Sequence, residues 1–152
     1  MAAGKWKFYD SAKLKILQGL IDFDNHAFKV ALFTSSSNAN TLTGSDELAD
    51  LTNQVAGANG YTTGGQAVTV TIDSSTPSAP FVDVSNPVWT ASGGSITARF
   101  AVLYDDTVAG DPLIAVSLLD TAPADVTATD GNTFTLAIAA GGIFNLSGAT
   151  SD

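Results

Sequence analysis

The sequence predicts an all-β chain, an antiparallel β-sandwich of jelly-roll or Greek-key type with one short N-terminal α-helix. Three observations carry this. Short runs rich in Val, Ile, Thr and Phe recur, separated by Gly, Pro, Asn and Asp clusters. Only one stretch, near the N-terminus, carries helical periodicity. The most apolar run, Ile96-Thr97-Ala98-Arg99-Phe100-Ala101-Val102-Leu103-Tyr104, is apolar on both faces of a pleat and contains no Gly or Pro, as expected of a central strand covered on both sides.

A chain of 152 residues has the size of one domain and buries roughly 70% of its unfolded surface. The expected organisation is therefore a single domain over 1–152, with an N-terminal arm at 1–9, the helix at 10–20 and the sandwich at 26–146. Asp10 or Ser11 is placed to cap the helix, whose apolar positions are Ala12, Ile16, Leu17 and Leu20, with Gly19 near its end. Residues 21–25 form a turn. In the strand predicted over 26–34, Phe28, Val30 and Leu32 share one face. Ser45 can cap a helical turn over 45–50. Gly57, Gly60, Gly64 and Gly65 form a flexible loop around Tyr61, followed by a strand over 67–72. Short extended pieces at 81–84 and 88–90 precede the central strand, and further strands are expected over 113–119, 133–139 and 143–146.

Charge is distributed unevenly. The net charge is −9, yet Lys5, Lys7, Lys13, Lys15 and Lys29 all lie in the first 29 residues, and Arg99 is the only cation after them. An acidic body repels phosphate backbones, so nucleic acid is not an expected partner. No run reaches the length of a membrane-spanning helix, and no membrane partner is expected. The charge distribution reads either as a solvated acidic surface that keeps the chain soluble or as a basic N-terminal end that docks on an acidic partner surface. Arg99, a lone cation in a strand that looks buried, is expected to form a structural ion pair with an aspartate, because an unpaired buried charge is costly.

Residues suited to catalysis are few. Cysteine is absent, which excludes thiol chemistry and Cys-based metal sites. His26 is the sole histidine, has no nucleophile-elbow pattern near it and reads as a surface or turn residue. Asp22, Asp24 and Asn25 lack the glycine and terminal glutamate of a calcium loop and read as a turn. Asp105, Asp106 and Asp111 read as turn residues in preference to a cation site, and the glycines near Tyr61 are not followed by the Gly-Lys-Ser/Thr of a phosphate loop. No cofactor, metal or enzymatic activity is expected. Asn145-Leu146-Ser147 is a glycosylation sequon, meaningful only in a secreted chain.

Several segments, taken in order, resemble a family of small tailed-phage virion proteins. They are Phe8-Tyr9-Asp10-Ser11-Ala12-Lys13, Gly19-Leu20-Ile21-Asp22-Phe23-Asp24, Phe28-Lys29-Val30-Ala31-Leu32-Phe33 and Gly60-Tyr61-Thr62-Thr63-Gly64-Gly65-Gln66. Val88-Trp89-Thr90, Ile96-Thr97-Ala98-Arg99, Ala101-Val102-Leu103-Tyr104-Asp105-Asp106, Pro112-Leu113-Ile114-Ala115 and Gly142-Ile143-Phe144-Asn145-Leu146 continue the resemblance over nearly the whole chain. It implies a non-enzymatic virion component with a β-sandwich fold, most simply a capsid decoration or cement protein. Such a protein is made in the bacterial cytoplasm, assembles as a dimer or trimer and binds the phage major capsid protein on the outside of the head. On that reading Lys5, Trp6, Lys7 and Phe8 are the expected capsid or oligomer contacts, in an arm lying outside the core. The alternative is a head-fibre, neck or tail component for adhesion or carbohydrate binding, with Trp6, Trp89 or Tyr61 as exposed stacking platforms.

Overall fold

The structure is a computed structural model that describes residues 4–120, 122 and 124–146. In chain order it contains β1 (Trp6–Phe8), α1 (Asp10–Leu17), β2 (Phe28–Phe33), a single 3-10 turn (Leu48–Asp50), β3 (Gln66–Val68), β4 (Val70–Asp73), β5 (Phe81–Val84), β6 (Val88–Thr90), β7 (Ile96–Ala98), β8 (Phe100–Asp105), β9 (Leu113–Leu118), β10 (Val126–Ala128), β11 (Thr133–Thr135) and β12 (Phe144–Asn145). The fold is all-β and antiparallel with one short helix. Its main sheet has the order β1-β9-β8-β2-β3.

Both faces of the main sheet are covered, as the strongly apolar strands β2, β8 and β9 require. On one face Phe28, Val30, Leu32, Ala101, Leu103 and Ile114 pack against residues of the small sheets β10-β7, β11-β6 and β12-β5-β4, including Val82, Trp89, Ile96 and Phe134. On the other, Ala31, Phe33, Val102, Tyr104 and Val116 meet Tyr9, Ala12 and Ala39, with Leu42, Leu48 and Leu51 at the margin. The second layer is thus divided among three small sheets.

Two apolar runs that read as single strands are each cut by one residue. Thr69 separates β3 in the main sheet from β4 in the three-stranded sheet, and its backbone is held by Ser85, whose N–H donates to Thr69 O at 2.9 Å and whose Oγ accepts from Thr69 N at 2.9 Å. Arg99 separates β7 from β8 in the same way, its N–H donating to Phe33 O (2.8 Å) and its carbonyl accepting from Leu119 N (3.0 Å). These are corners at which the chain passes from one layer to the other. The Arg99 corner also breaks the pleat, so that Ala98 and Ala101, three residues apart, enter the same core. A register shift beside Leu103 and Tyr104 does likewise on β9, where Leu113 and Val116 face one side while Ile114 and Ala115 face the other.

The expected N-terminal arm is an edge strand. Trp6, Lys7 and Phe8 pair with Ser117, Val116 and Ala115, so this part of 1–9 belongs to the main sheet. Met1, Ala2 and Ala3 lie outside the described residues, as does Ser147 of the sequon. The helix is shorter than expected and ends at Leu17. Gly19, at φ +69°, closes it: Leu20 N–H donates to Lys15 O at 2.9 Å and Gly19 N–H to Ile16 O at 3.0 Å. Its N-cap is Tyr9, with Asp10 in the first turn, in place of a side-chain cap from Asp10 or Ser11. The cap of the later turn is Glu47, not Ser45; Glu47 and Asp50 exchange side-chain-to-backbone hydrogen bonds.

Candidate interaction surface

The helix faces outward more than its spacing suggests. Ala12 is buried and Ile16 half-buried, but Leu14, Leu17 and Leu20 are exposed, Leu17 to 87%. The expected buried stripe Ala12, Ile16, Leu17 and Leu20 is therefore only half used. Three clefts border this outward face. The first, about 440 Å³, lies between the β1 edge (Gly4, Lys5, Trp6, Phe8) and the segment leading into β12 (Ala139, Ile143, Phe144). The second, about 370 Å³, is bounded by Phe8, Lys13, Ile16, Leu17 and Phe144. The third, about 250 Å³, extends over Ile16, Phe23, Ile72, Phe81 and Leu146. Phe8 and Phe144, with ring centroids 5.2 Å apart, join the first two, and Ile16 and Phe144 join the second to the third. One apolar surface thus runs from β1 across α1 to β4 and β5. Contiguous exposed apolar area of this kind makes it the candidate interaction surface.

Cations sit on its rim. Lys5, just ahead of β1, and Lys7, on it, are exposed, and among the described residues no carboxylate pairs with either. Lys13 Nζ lies 2.8 Å from Asp10 Oδ1, and Thr43 Oγ1 donates to Asp10 Oδ2 at 2.7 Å. The Lys13 and Thr43 hydrogen bonds, with the Lys13 charge, hold the Asp10 carboxyl below its ordinary range. Trp6 is half-buried, and its buried Nε1 has no acceptor among the described residues. Of the four expected contact residues, Lys5, Trp6 and Phe8 line the first cleft, and Lys7 lies on the opposite face of the same strand.

The other sequence-derived candidates are drawn into the framework. Arg99 Nε donates to Asp125 Oδ1 at 2.7 Å, just ahead of β10. His26 Nδ1 lies 2.6 Å from Asp105 Oδ2, whose residue is fully buried; Asp105 Oδ1 accepts from Thr107 N (2.9 Å) and Val108 N (3.3 Å). His26 is thus a partner to a buried carboxylate and not simply a surface histidine. Lys29 Nζ takes Asp106 at 2.8 Å. Asp22 forms the expected turn, accepting from Asp24 N, Asn25 N and Asn25 Nδ2.

Trp89 and Tyr61 are buried, which removes them as exposed stacking platforms. Trp89 packs edge-on against Phe134 at 6.0 Å. Tyr61 Oη accepts from Leu32 N (2.9 Å) and Gln54 Nε2 (3.2 Å). The glycines beside Tyr61 mark close backbone approaches, since a Cβ on Gly60 or Gly65, both at positive φ, meets Thr90 O or Val30 O.

The outward direction of the leucines escaped sequence reasoning, although Leu14, Leu17 and Leu20 at three-residue intervals, the first between Lys13 and Lys15, form a second apolar stripe. No protein family, curated protein or solved structure matches the chain.

Proposed function

We propose that this protein is a non-enzymatic structural protein of a tailed-phage virion, a decoration or cement protein that binds the outside of the head shell and bridges neighbouring copies of the major capsid protein. The observation that carries the reading is the joined apolar surface over β1, α1 and β12, rimmed by Lys5 and Lys13 on a chain of net charge −9. An acidic body keeps the free protein soluble, and a lysine-rimmed apolar face fits an acidic shell. Half-buried Trp6, Phe8 and Phe144 supply the aromatic anchors that dominate many interfaces. The resemblance in sequence to small virion proteins points the same way. Assembly as a dimer or trimer would suit attachment at a symmetric shell position.

The test is titration of purified protein onto undecorated phage capsids, counting bound copies. Deleting Met1 to Lys7 is unsuitable, because it removes most of an edge strand. Leu17→Glu alters a side chain that is 87% exposed, so it should leave the fold intact while lowering affinity about tenfold or more. Occupancy should also fall with added salt. Saturation that is unaffected by both changes would place attachment elsewhere, and absence of binding by the unaltered protein would overturn the capsid reading.

A further inference from the structure

The β1 edge has a specific geometry. Tyr9 N–H donates to Ile114 O at 3.1 Å and Gly4 N–H to Leu118 O at 3.2 Å, so Ile114 and Leu118 of the β9 chain turn their backbone groups toward β1. Alternation along an antiparallel ladder places Val116, opposite Lys7, in the same set. The N–H and C=O of Trp6 and Phe8 consequently point away from β9, along the open side of the sheet. Among the described residues no strand pairs with that side. Facing it across the first cleft is the segment leading into β12, and the cleft is lined by Trp6, Phe8, Ile143 and Phe144.

We infer that this edge is a docking site for an extended partner segment of alternating acidic and apolar residues, which adds to the main sheet as a sixth strand beside β1. The inference rests on the reading of this face as the attachment surface and names the chemistry that it takes. The backbone of the added strand bonds the N–H and C=O of Trp6 and Phe8. Its apolar side chains enter the cleft beside Trp6, Phe8 and Phe144, which Lys5 also lines, while the residues between them turn to the opposite face, next to Lys7. Carboxylates at those positions meet Lys7, and one at the end of the added segment reaches Lys5; neither cation has an ion-pair partner among the described residues. A second copy of this chain is a poor occupant, because edge-to-edge pairing of two β1 strands brings Lys5 and Lys7 close to the same lysines of the other copy. An edge strand carrying lysines is also protected against that self-association.

Three labelled hexapeptides test this against the full chain: Val-Glu-Val-Glu-Val-Glu, Val-Lys-Val-Lys-Val-Lys and the block sequence Val-Val-Val-Glu-Glu-Glu. Fluorescence anisotropy gives affinity, and amide hydrogen exchange gives the site. The alternating acidic peptide should bind about tenfold or more tighter than the other two, and should slow exchange at the Trp6 and Phe8 amides and shift the Trp6 indole N–H resonance. Lys5→Glu combined with Lys7→Glu, both on exposed positions, should reverse the preference between the acidic and basic peptides. Equal binding of all three peptides, no change at Trp6 and Phe8, or a dimer that protects those two amides without peptide would overturn the inference. The capsid titration is a separate outcome. Peptide docking without capsid binding retains the edge site and rejects the virion reading, whereas capsid binding without peptide discrimination does the reverse.

Discussion

Arg99 closes a corner of the backbone with one ion pair, and its aliphatic stem and its charge are separable. The side chain is 16% exposed and Asp125 is 36% exposed, so the charge contributes modestly while the stem is largely shielded from solvent. Arg99→Met should destabilise less than Arg99→Ala, by about 1 kcal/mol in urea denaturation, because methionine keeps most of the volume. Equal losses would mean that the stem packs against nothing. His26 presents the reverse case, since its partner Asp105 is fully buried. His26→Ala leaves Asp105 Oδ2 without its 2.6 Å contact and should cost about 1–3 kcal/mol of stability, while capsid titration below the melting temperature is unchanged. A melting temperature equal to that of the unaltered protein would show that water replaces the imidazole. Asp50 is held below its ordinary value of 3.8 chiefly by the backbone N–H groups of Asp46 and Glu47, and Asp22 by Asn25 and the Asp24 N–H. A depressed carboxyl contributes its stability above the unfolded value and loses it as pH falls through the folded one. Melting temperature should therefore drop below about pH 4, and Asp50→Asn should flatten part of that drop.

At the scale of elements, β2 shows how a strand is completed by a side chain. β3 pairs with Phe28, Lys29 and Val30 and then leaves, and the next outward backbone donor, Leu32 N–H, is taken by Tyr61 Oη. Tyr61→Phe should cost about 1–3 kcal/mol by orphaning that N–H, with accelerated exchange at Leu32 as the specific readout. Slow exchange at Leu32 in the variant would show that another acceptor takes over. The strands β2 and β8 were legible, because alternation in 28–33 and the two-faced apolar character of 100–105 depend on pleat geometry alone, whereas β1, in the expected arm, and β10, where no strand was expected, were not. The corners at Thr69 and Arg99 were not. A strand that turns from one sheet into another stays apolar on both sides of the turn, and the ligands of each corner, Ser85, Phe33 and Leu119, are distant in sequence or separated by a loop. The helix was legible in place but not in orientation. Its leucines satisfy a buried stripe and a docking stripe equally well, and only the docking of α1 beside β9 selects between them. Of the candidate surface, Lys5, Trp6 and Phe8 could be named from the charge asymmetry together with the resemblance, whereas Phe144 and Ile16 join them only through tertiary packing.

Across the whole molecule the three tyrosines share one behaviour. Tyr9, Tyr61 and Tyr104 are buried in the two cores, and desolvation raises all three above 10.0. Tyr9 Oη donates to Ala39 O at 2.6 Å and Tyr104 Oη to Gly64 O at 2.8 Å, bonds that a phenolate cannot make. A raised folded value contributes stability that is complete below the unfolded value and lost as pH rises through the folded one. Absorbance at 295 nm should therefore show no independent tyrosine ionisation near pH 10, and all three should ionise together when the protein unfolds at higher pH. Gradual ionisation near 10 with intact circular dichroism would contradict the burial. The order β1-β9-β8-β2-β3 has a further consequence, for synthesis. Trp6 emerges from the ribosome well before its partner Ser117, and before Phe144 of the wall opposite it. Pairing of such distant segments is slow, and until it occurs the nascent chain has neither the edge nor the cleft. The docking proposed for this face is thereby withheld from every chain whose translation stops short of β12.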